Sequence, residues 1–183
     1  MKPPFVRLEI GTGWYGVTKL RWRTWLRRTW LSWVLAGCYL AIAAAVVLVT
    51  TGTGGEGPCW LTLVRWGFTA GLVLLVAVRI VLEGTVSKPV AGEPPPWDRQ
   101  IVDPWWTTIH TLTGVVLGFW LTPYFVAAVV TVLWEVLEIS VPGFGDDEVN
   151  GNRIADNAVA WLGWLVAAGT SALAGATSVP LIA

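Results

Sequence analysis

Residues 103–157 read DPWWTTIHTLTGVVLGFWLTPYFVAAVVTVLWEVLEISVPGFGDDEVNGNRIADN. Two apolar runs meet at Thr122-Pro123-Tyr124, and a polar loop leads into the start of a third. The only histidine, His110, lies early in the first run, and Glu135 and Glu138 lie late in the second. Arg153, Asp156 and Asn157 open the third. If each run crosses a membrane, the chain is back on one side whenever a polar group appears. That places His110, Glu135, Glu138, Arg153 and Asp156 at similar depth on the same face.

The rest of the chain has the composition of a membrane protein. Of its 183 residues, 55% are hydrophobic and 13% charged, about half the charged share of an ordinary soluble domain. A spanning helix takes roughly 20 apolar residues, so there is room for about five spans. The expected fold is an all-α, polytopic transmembrane helix bundle. Residues 1–13 form an N-terminal tail or short strand-like segment and residues 14–30 an interfacial amphipathic helix, together the N-terminal unit 1–30; residues 31–183 form the bundle, with the polar site region at 103–157. The spans fall at about Leu31–Thr51, Trp60–Leu82, Trp105–Trp120, Phe125–Ile139 and Ile154–Thr177. The third and fourth are short: at 1.5 Å per residue, about 17 residues cover roughly 25 Å of a ~30 Å core. Such spans either thin the bilayer locally or stand behind longer neighbours. Gly114 and Gly118, four apart, form a small-residue packing face one turn from His110.

Seven of the 12 Lys and Arg residues precede position 29: Lys2, Arg7, Lys19, Arg21, Arg23, Arg27 and Arg28. Trp22, Trp25 and Leu26 share a helical face among these arginines. The segment therefore reads as a basic amphipathic helix at a membrane surface, or as a docking surface for another membrane subunit, and not as a nucleic-acid site. With this basic end inside, the connections at 83–104 and 140–156 are also cytoplasmic, and those near 51–59 and 122–124 carry no Lys or Arg. The positive-inside rule then gives a plasma (inner) membrane protein with its N-terminus cytoplasmic and its C-terminus outside. The first apolar run stands too far behind the basic segment for a cleavable signal.

Other features have ordinary readings. Arg65 and Arg79 lie about one turn inside the second span and are expected to snorkel to the headgroups, with Arg79 on the side of the polar cluster. Cys38 and Cys59 lack paired spacing and are read as buried thiols. Pro94-Pro95-Pro96 is expected to be extended in a connector over the inner mouth. The 14 tryptophans are available for interfacial belts. Counting from Asp146, Glu148, Asn150 and Gly151 echo a calcium loop, but its twelfth position is Asn157 and not a bidentate Glu, so the stretch reads as an acidic turn. No phosphate-binding loop, dinucleotide fingerprint or hydrolase motif is present.

Ionisable groups inside spans are costly and mark function by default. Three readings of the cluster stay open. His110 with Glu135, Glu138 or Asp156 could ligate a divalent metal ion, the set His110, Glu135 and Asp156 first, with Glu135, Glu138, Arg153 and Asn157 contacting a bound headgroup. His110 or Asp156 could be a catalytic acid or base. Alternatively, Arg153 pairs with Glu135 or Glu138 and the cluster is structural.

A histidine early in one span, a Glu late in the next, then Arg153, Asp156, Asn157 and Gly163 entering a Gly-rich span resembles the VanZ-like and YjdF-like families of small bacterial membrane proteins. The resemblance covers about residues 103–170. It departs from the VanZ-like pattern at Glu138, where Gln is commoner, and in a longer loop at 143–152. VanZ-like proteins are linked to glycopeptide resistance and the cell envelope. The resemblance thus implies a cytoplasmic-face pocket for a lipid or envelope-precursor headgroup, held directly or through a metal. The alternative is a non-catalytic accessory subunit of a larger membrane complex.

Overall fold

The computed structural model describes residues 6–10, 13–17, 22–52, 56–85, 101–140 and 150–181. Five helices make up the body: α1 (Trp22–Thr51), α2 (Cys59–Thr85), α3 (Trp106–Phe119), α4 (Tyr124–Ser140) and α5 (Asn150–Leu173). A short antiparallel ribbon precedes them, β1 (Val6–Ile10) with β2 (Gly13–Val17), pairing Val6 with Val17 and Ile10 with Gly13. The ribbon corrects one expectation. Residues 14–17 belong to a strand and not to an amphipathic helix; Gly13 and Gly16 weaken helix there, and Trp14, Tyr15 and Val17 suit a strand. The Trp/Arg turns from Trp22 onward run into the apolar stretch as one continuous 30-residue helix. The Pro94–Pro96 run and residues 146–149 of the expected acidic turn lie outside the described residues, as do the side chains of the Trp22–Trp25–Leu26 face; Asn150, Gly151 and Asn152, read as the end of that turn, form the first turn of α5.

Among the described residues, two helices are long and apolar enough to cross a membrane, through Val34–Thr51 and Cys59–Arg79. Only 17% and 11% of those stretches are buried. Their large apolar side chains, Leu40, Ile42, Leu48, Leu63, Val73 and Leu74 among them, point outward. Cys38 and Cys59 lie on these outward faces and are exposed, contrary to the reading of buried thiols.

The centre of the molecule is the pair α3–α5. A Cβ added at Gly114 would stand 1.8 Å from the Ala160 carbonyl oxygen, and one at Gly163 would stand 2.6 Å from that of Thr111. The two backbones therefore touch, each through a glycine of its own. Gly118 extends the seam, with Trp164 O at 2.4 Å and Ala167 Cβ at 2.8 Å from the same construction. The buried stripe of α5, Asn152, Asp156, Ala160, Gly163, Ala167 and Ser171, faces this seam at spacings of three and four. Around the pair, α2 packs on α3, α4 on α5, and α1 on α4 and α2.

Tryptophans do more here than line an interface. Trp120 Nε1 donates to Thr69 Oγ1 at 3.1 Å, Trp161 Nε1 to Thr131 Oγ1 at 3.0 Å, and Trp164 Nε1 to the Thr122 carbonyl at 2.8 Å. Each joins one helix to another element, burying a large ring while its N–H finds an acceptor. Tyr39 of α1 donates to the Val130 carbonyl of α4 and lies 5.5 Å from the Trp134 ring.

The third helix is as short as the sequence implied, at 14 residues or about 21 Å. Its end is capped at Trp120, Leu121 and Thr122. Leu121 N–H bonds Gly118 O at 2.9 Å, and Thr122 N–H bonds Leu117 O at 3.0 Å. These are the paired bonds of a left-handed helix stop, with Leu121 at φ 54 where glycine is usual. Arg65 completes this end, and here the snorkelling expectation fails. Arg65 is 2% exposed. Its Nε donates to Phe119 O at 2.8 Å and its guanidinium lies 5.9 Å from the centre of the Trp120 ring. A helix that stops inside the bundle leaves its last carbonyls and the negative end of its dipole there. The cation is drawn to them and not to the surface.

The seam gives a sharp test. Gly114→Ala should lower stability by about 1–3 kcal/mol or prevent folding, because the intruding methyl meets backbone on the other side. Gly71, with nothing within 4 Å of the added Cβ, should accept alanine with no loss. Denaturant unfolding of the two variants in one detergent makes the comparison.

Candidate functional site

Four buried polar residues from three helices meet at one end of the bundle: His110 of α3, Glu135 and Glu138 of α4, and Asp156 of α5. The site lies where α3 and α5 begin and α4 ends, so the up-and-down winding of the chain assembles it. The opposite end holds Arg65 against Phe119, Trp164 against Thr122, and the bridge between Glu56 and Thr177.

Asp103 and Pro104 start α3. The Asp103 carboxylate oxygen Oδ1 accepts the Trp105 N–H at 2.6 Å and the Trp106 N–H at 2.8 Å. The Asp103 carbonyl accepts the Thr107 N–H at 3.0 Å. The Asp103 carboxylate, two residues ahead of the N-cap Trp105, thus satisfies two of the donors that the start of α3 leaves without intrahelical partners. Asn152 of α5 holds the approach to the cap, its Nδ2 donating to the Ile101 carbonyl at 3.1 Å. Arg79 of α2 lies 5.3 Å over the Trp106 ring. The starts of α3 and α5 are thus tied together before His110 is reached.

The imidazole of His110 stands between two carboxylates. Its Nδ1 is 3.8 Å from Glu135 Oε1, and its Nε2 is 3.8 Å from Asp156 Oδ2. Neither distance is a direct hydrogen bond. Glu138 lies close by: one ligand atom each from His110, Glu135 and Glu138 lie within 4.8 Å of one another, and all three residues are buried. Two donors bound to one ion at about 2.1 Å stand at most about 4.2 Å apart. The 3.8 Å between His110 and Glu135 already meets that limit, and a small carboxylate rotation brings in Glu138.

On the other side, Asp156 is anchored. Its Oδ1 accepts the Thr107 hydroxyl proton at 2.6 Å, and Thr107 Oγ1 accepts the Asp103 N–H at 3.1 Å. Asp156 therefore faces the opposite ring nitrogen from Glu135. Of the carboxylates expected beside His110, Glu135 and Glu138 converge with it, while Asp156 faces the other ring nitrogen.

Of the remaining expected residues, Arg153 donates from Nη1 to Asn150 Oδ1 at 2.9 Å, and Asn157 donates from Nδ2 to the Arg153 carbonyl at 3.1 Å. Both bonds stay within the opening turns of α5. Thr107, Asp103 and Asn152 were not singled out from the sequence. Asp103-Pro104 before an apolar run carries a helix-start signal. Thr107 carries none beyond its place three residues before His110, and Asn152 only its spacing of four from Asp156.

No protein-family model, curated protein or solved structure matches this chain.

Thr107 is the hinge of the polar network, so Thr107→Val should cost about 1–3 kcal/mol by stranding a buried Asp156 oxygen and the Asp103 N–H. Thr108, exposed and bonded only to the Pro104 carbonyl at 2.6 Å, should tolerate valine with little change. Unfolding free energies of the two variants, measured side by side in detergent, check this.

Proposed function

We propose that this chain is an integral membrane protein of the plasma membrane, with five spans, a cytoplasmic N-terminus and an outward C-terminus. In this reading His110, Glu135 and Glu138 bind a divalent cation at the cytoplasmic end of the bundle. The cation in turn holds a phosphate-bearing headgroup of a lipid or envelope precursor. One observation carries the reading: an imidazole and two carboxylates, all buried, converge from α3 and α4 to within 4.8 Å. One nitrogen and two carboxylate donors suit zinc, manganese or iron. Three protein ligands leave room for a further oxygen ligand, the arrangement of a working metal site and not a closed structural one.

Depth supports the headgroup part. His110 lies seven residues beyond Asp103, about 10 Å along the helix, which is near the boundary between headgroups and hydrocarbon. The outward apolar faces of α1 and α2 support the membrane setting. The continuous Trp/Arg start of α1 suits the anionic inner surface. The VanZ-like resemblance of His110, Glu135, Arg153, Asp156 and Asn157 agrees with an envelope role.

Within this reading the divisions of labour are simple. His110, Glu135 and Glu138 bind the ion, the surrounding helices exclude water, and the ion supplies positive charge for phosphate oxygens. Protein in nanodiscs, stripped with chelator and reloaded, should take up one manganese or zinc ion per chain by elemental analysis. His110→Ala, Glu135→Gln and Glu138→Gln should each weaken uptake by more than about 100-fold, the loss expected when a direct ligand is removed. A short-chain phosphatidylglycerol should bind the loaded protein and be released by chelator. Stripped wild-type protein that takes up no ion, or lipid binding indifferent to chelator, would overturn the proposal.

A further inference from the structure

We infer that Asp156 is a positioning residue: it holds His110 from behind, so that the ring presents Nδ1 to the ion. The inference rests on the metal-site reading above and deepens it. An imidazole's two nitrogens point away from each other, so only one serves an ion shared with Glu135 and Glu138. Nδ1 is the nitrogen on the Glu135 side, at 3.8 Å from Oε1. In a neutral imidazole the proton then sits on Nε2. Nε2 faces Asp156 Oδ2 at 3.8 Å, and a small turn of the ring on ligation closes that gap to a hydrogen bond. Metal-bound histidines usually give their second N–H to such an acceptor.

What makes Asp156 suited to this task is its own restraint. It is 1% exposed. Thr107 occupies its other oxygen at 2.6 Å, and Thr107 is held in turn by the Asp103 N–H. The backbones are fixed as well. Gly114 is one turn beyond His110 and Ala160 one turn beyond Asp156, and these two residues touch at the α3–α5 seam. The separation of His110 and Asp156 is therefore set by backbone contact one turn away. Neither residue can drift without opening the seam.

The direction of the Thr107 bond also separates Asp156 from an asparagine. With Thr107 donating to its oxygen, an amide would turn its NH2 group toward Nε2. That would favour a bare Nε2 and put the ring proton on Nδ1, where the ion should bind.

The test compares cobalt(II) and zinc binding to wild-type, Asp156→Asn, Thr107→Val and His110→Ala proteins in nanodiscs. Asp156→Asn should weaken binding by about 10–100-fold. At saturation it should still hold one ion, with the visible cobalt(II) spectrum of the wild type, because the ligands are unchanged. Thr107→Val should weaken binding in the same direction by a smaller factor, and it carries the test if Asp156→Asn fails to fold. His110→Ala should not saturate. Wild-type affinity in both Asp156→Asn and Thr107→Val would overturn the inference and leave the metal site standing. An altered cobalt spectrum in Asp156→Asn would overturn it too, by making Asp156 a direct ligand. Wild-type protein that binds neither ion would sink the metal site itself, and this inference with it.

Discussion

Everything in this molecule hangs on the contact of two backbones. Gly114 of α3 and Gly163 of α5 bring the helices to a separation at which even a methyl group has no place. Close van der Waals contact and interhelical hydrogen bonds hold such a helix pair together. The glycines provide the first. Trp161, Trp164 and Trp120 provide the second along the flanks. The same closeness brings Asp156 up to Thr107 and His110, so one contact serves both cohesion and the site.

Polar groups at the site are arranged in order of restraint. Asp103 is fixed by the helix start it caps, Thr107 by Asp103, and Asp156 by Thr107. His110 comes last, with space on both sides. Restraint thus falls along the chain of contacts from Asp103 to His110. Glu135 and Glu138 reach His110 from α4, a helix outside the central seam, so the two halves of the site come from differently anchored elements.

Much of this was legible in the chain. The five apolar runs became five helices, and the return of the chain to one end placed His110, Glu135, Glu138 and Asp156 together. The Gly114–Gly118 face did become the packing seam. Other features were hidden for physical reasons. Helical spacing shows which residues share a face but not which side of a neighbouring ring they approach, so Asp156 could not be told from Glu138 as a partner of Glu135. Arg65 misled because its distance from the helix end suits snorkelling; what drew it inward was the end of a different helix. Trp14–Val17 has aromatic residues like the segment that follows, and what separates it is the pair Gly13 and Gly16 and the absence of any basic residue. Cys38 and Cys59 were taken as buried, but exposure in such a bundle depends on which face looks toward the neighbours, and apolar residues occupy both faces.

The capping of α3 has a wider consequence. An acid closes its first turn and a guanidinium closes its last, both supplied by the protein and both buried. A helix so terminated has no need of water or headgroups at either tip. Its 14 residues therefore make no demand on what surrounds the bundle; α1 and α2, long and apolar enough to cross a membrane, turn their large side chains outward instead. In a bilayer, mismatch would fall on those two helices, and the element carrying His110 would be insulated from changes in membrane thickness. The geometry around the imidazole should then stay the same in thin and thick bilayers alike.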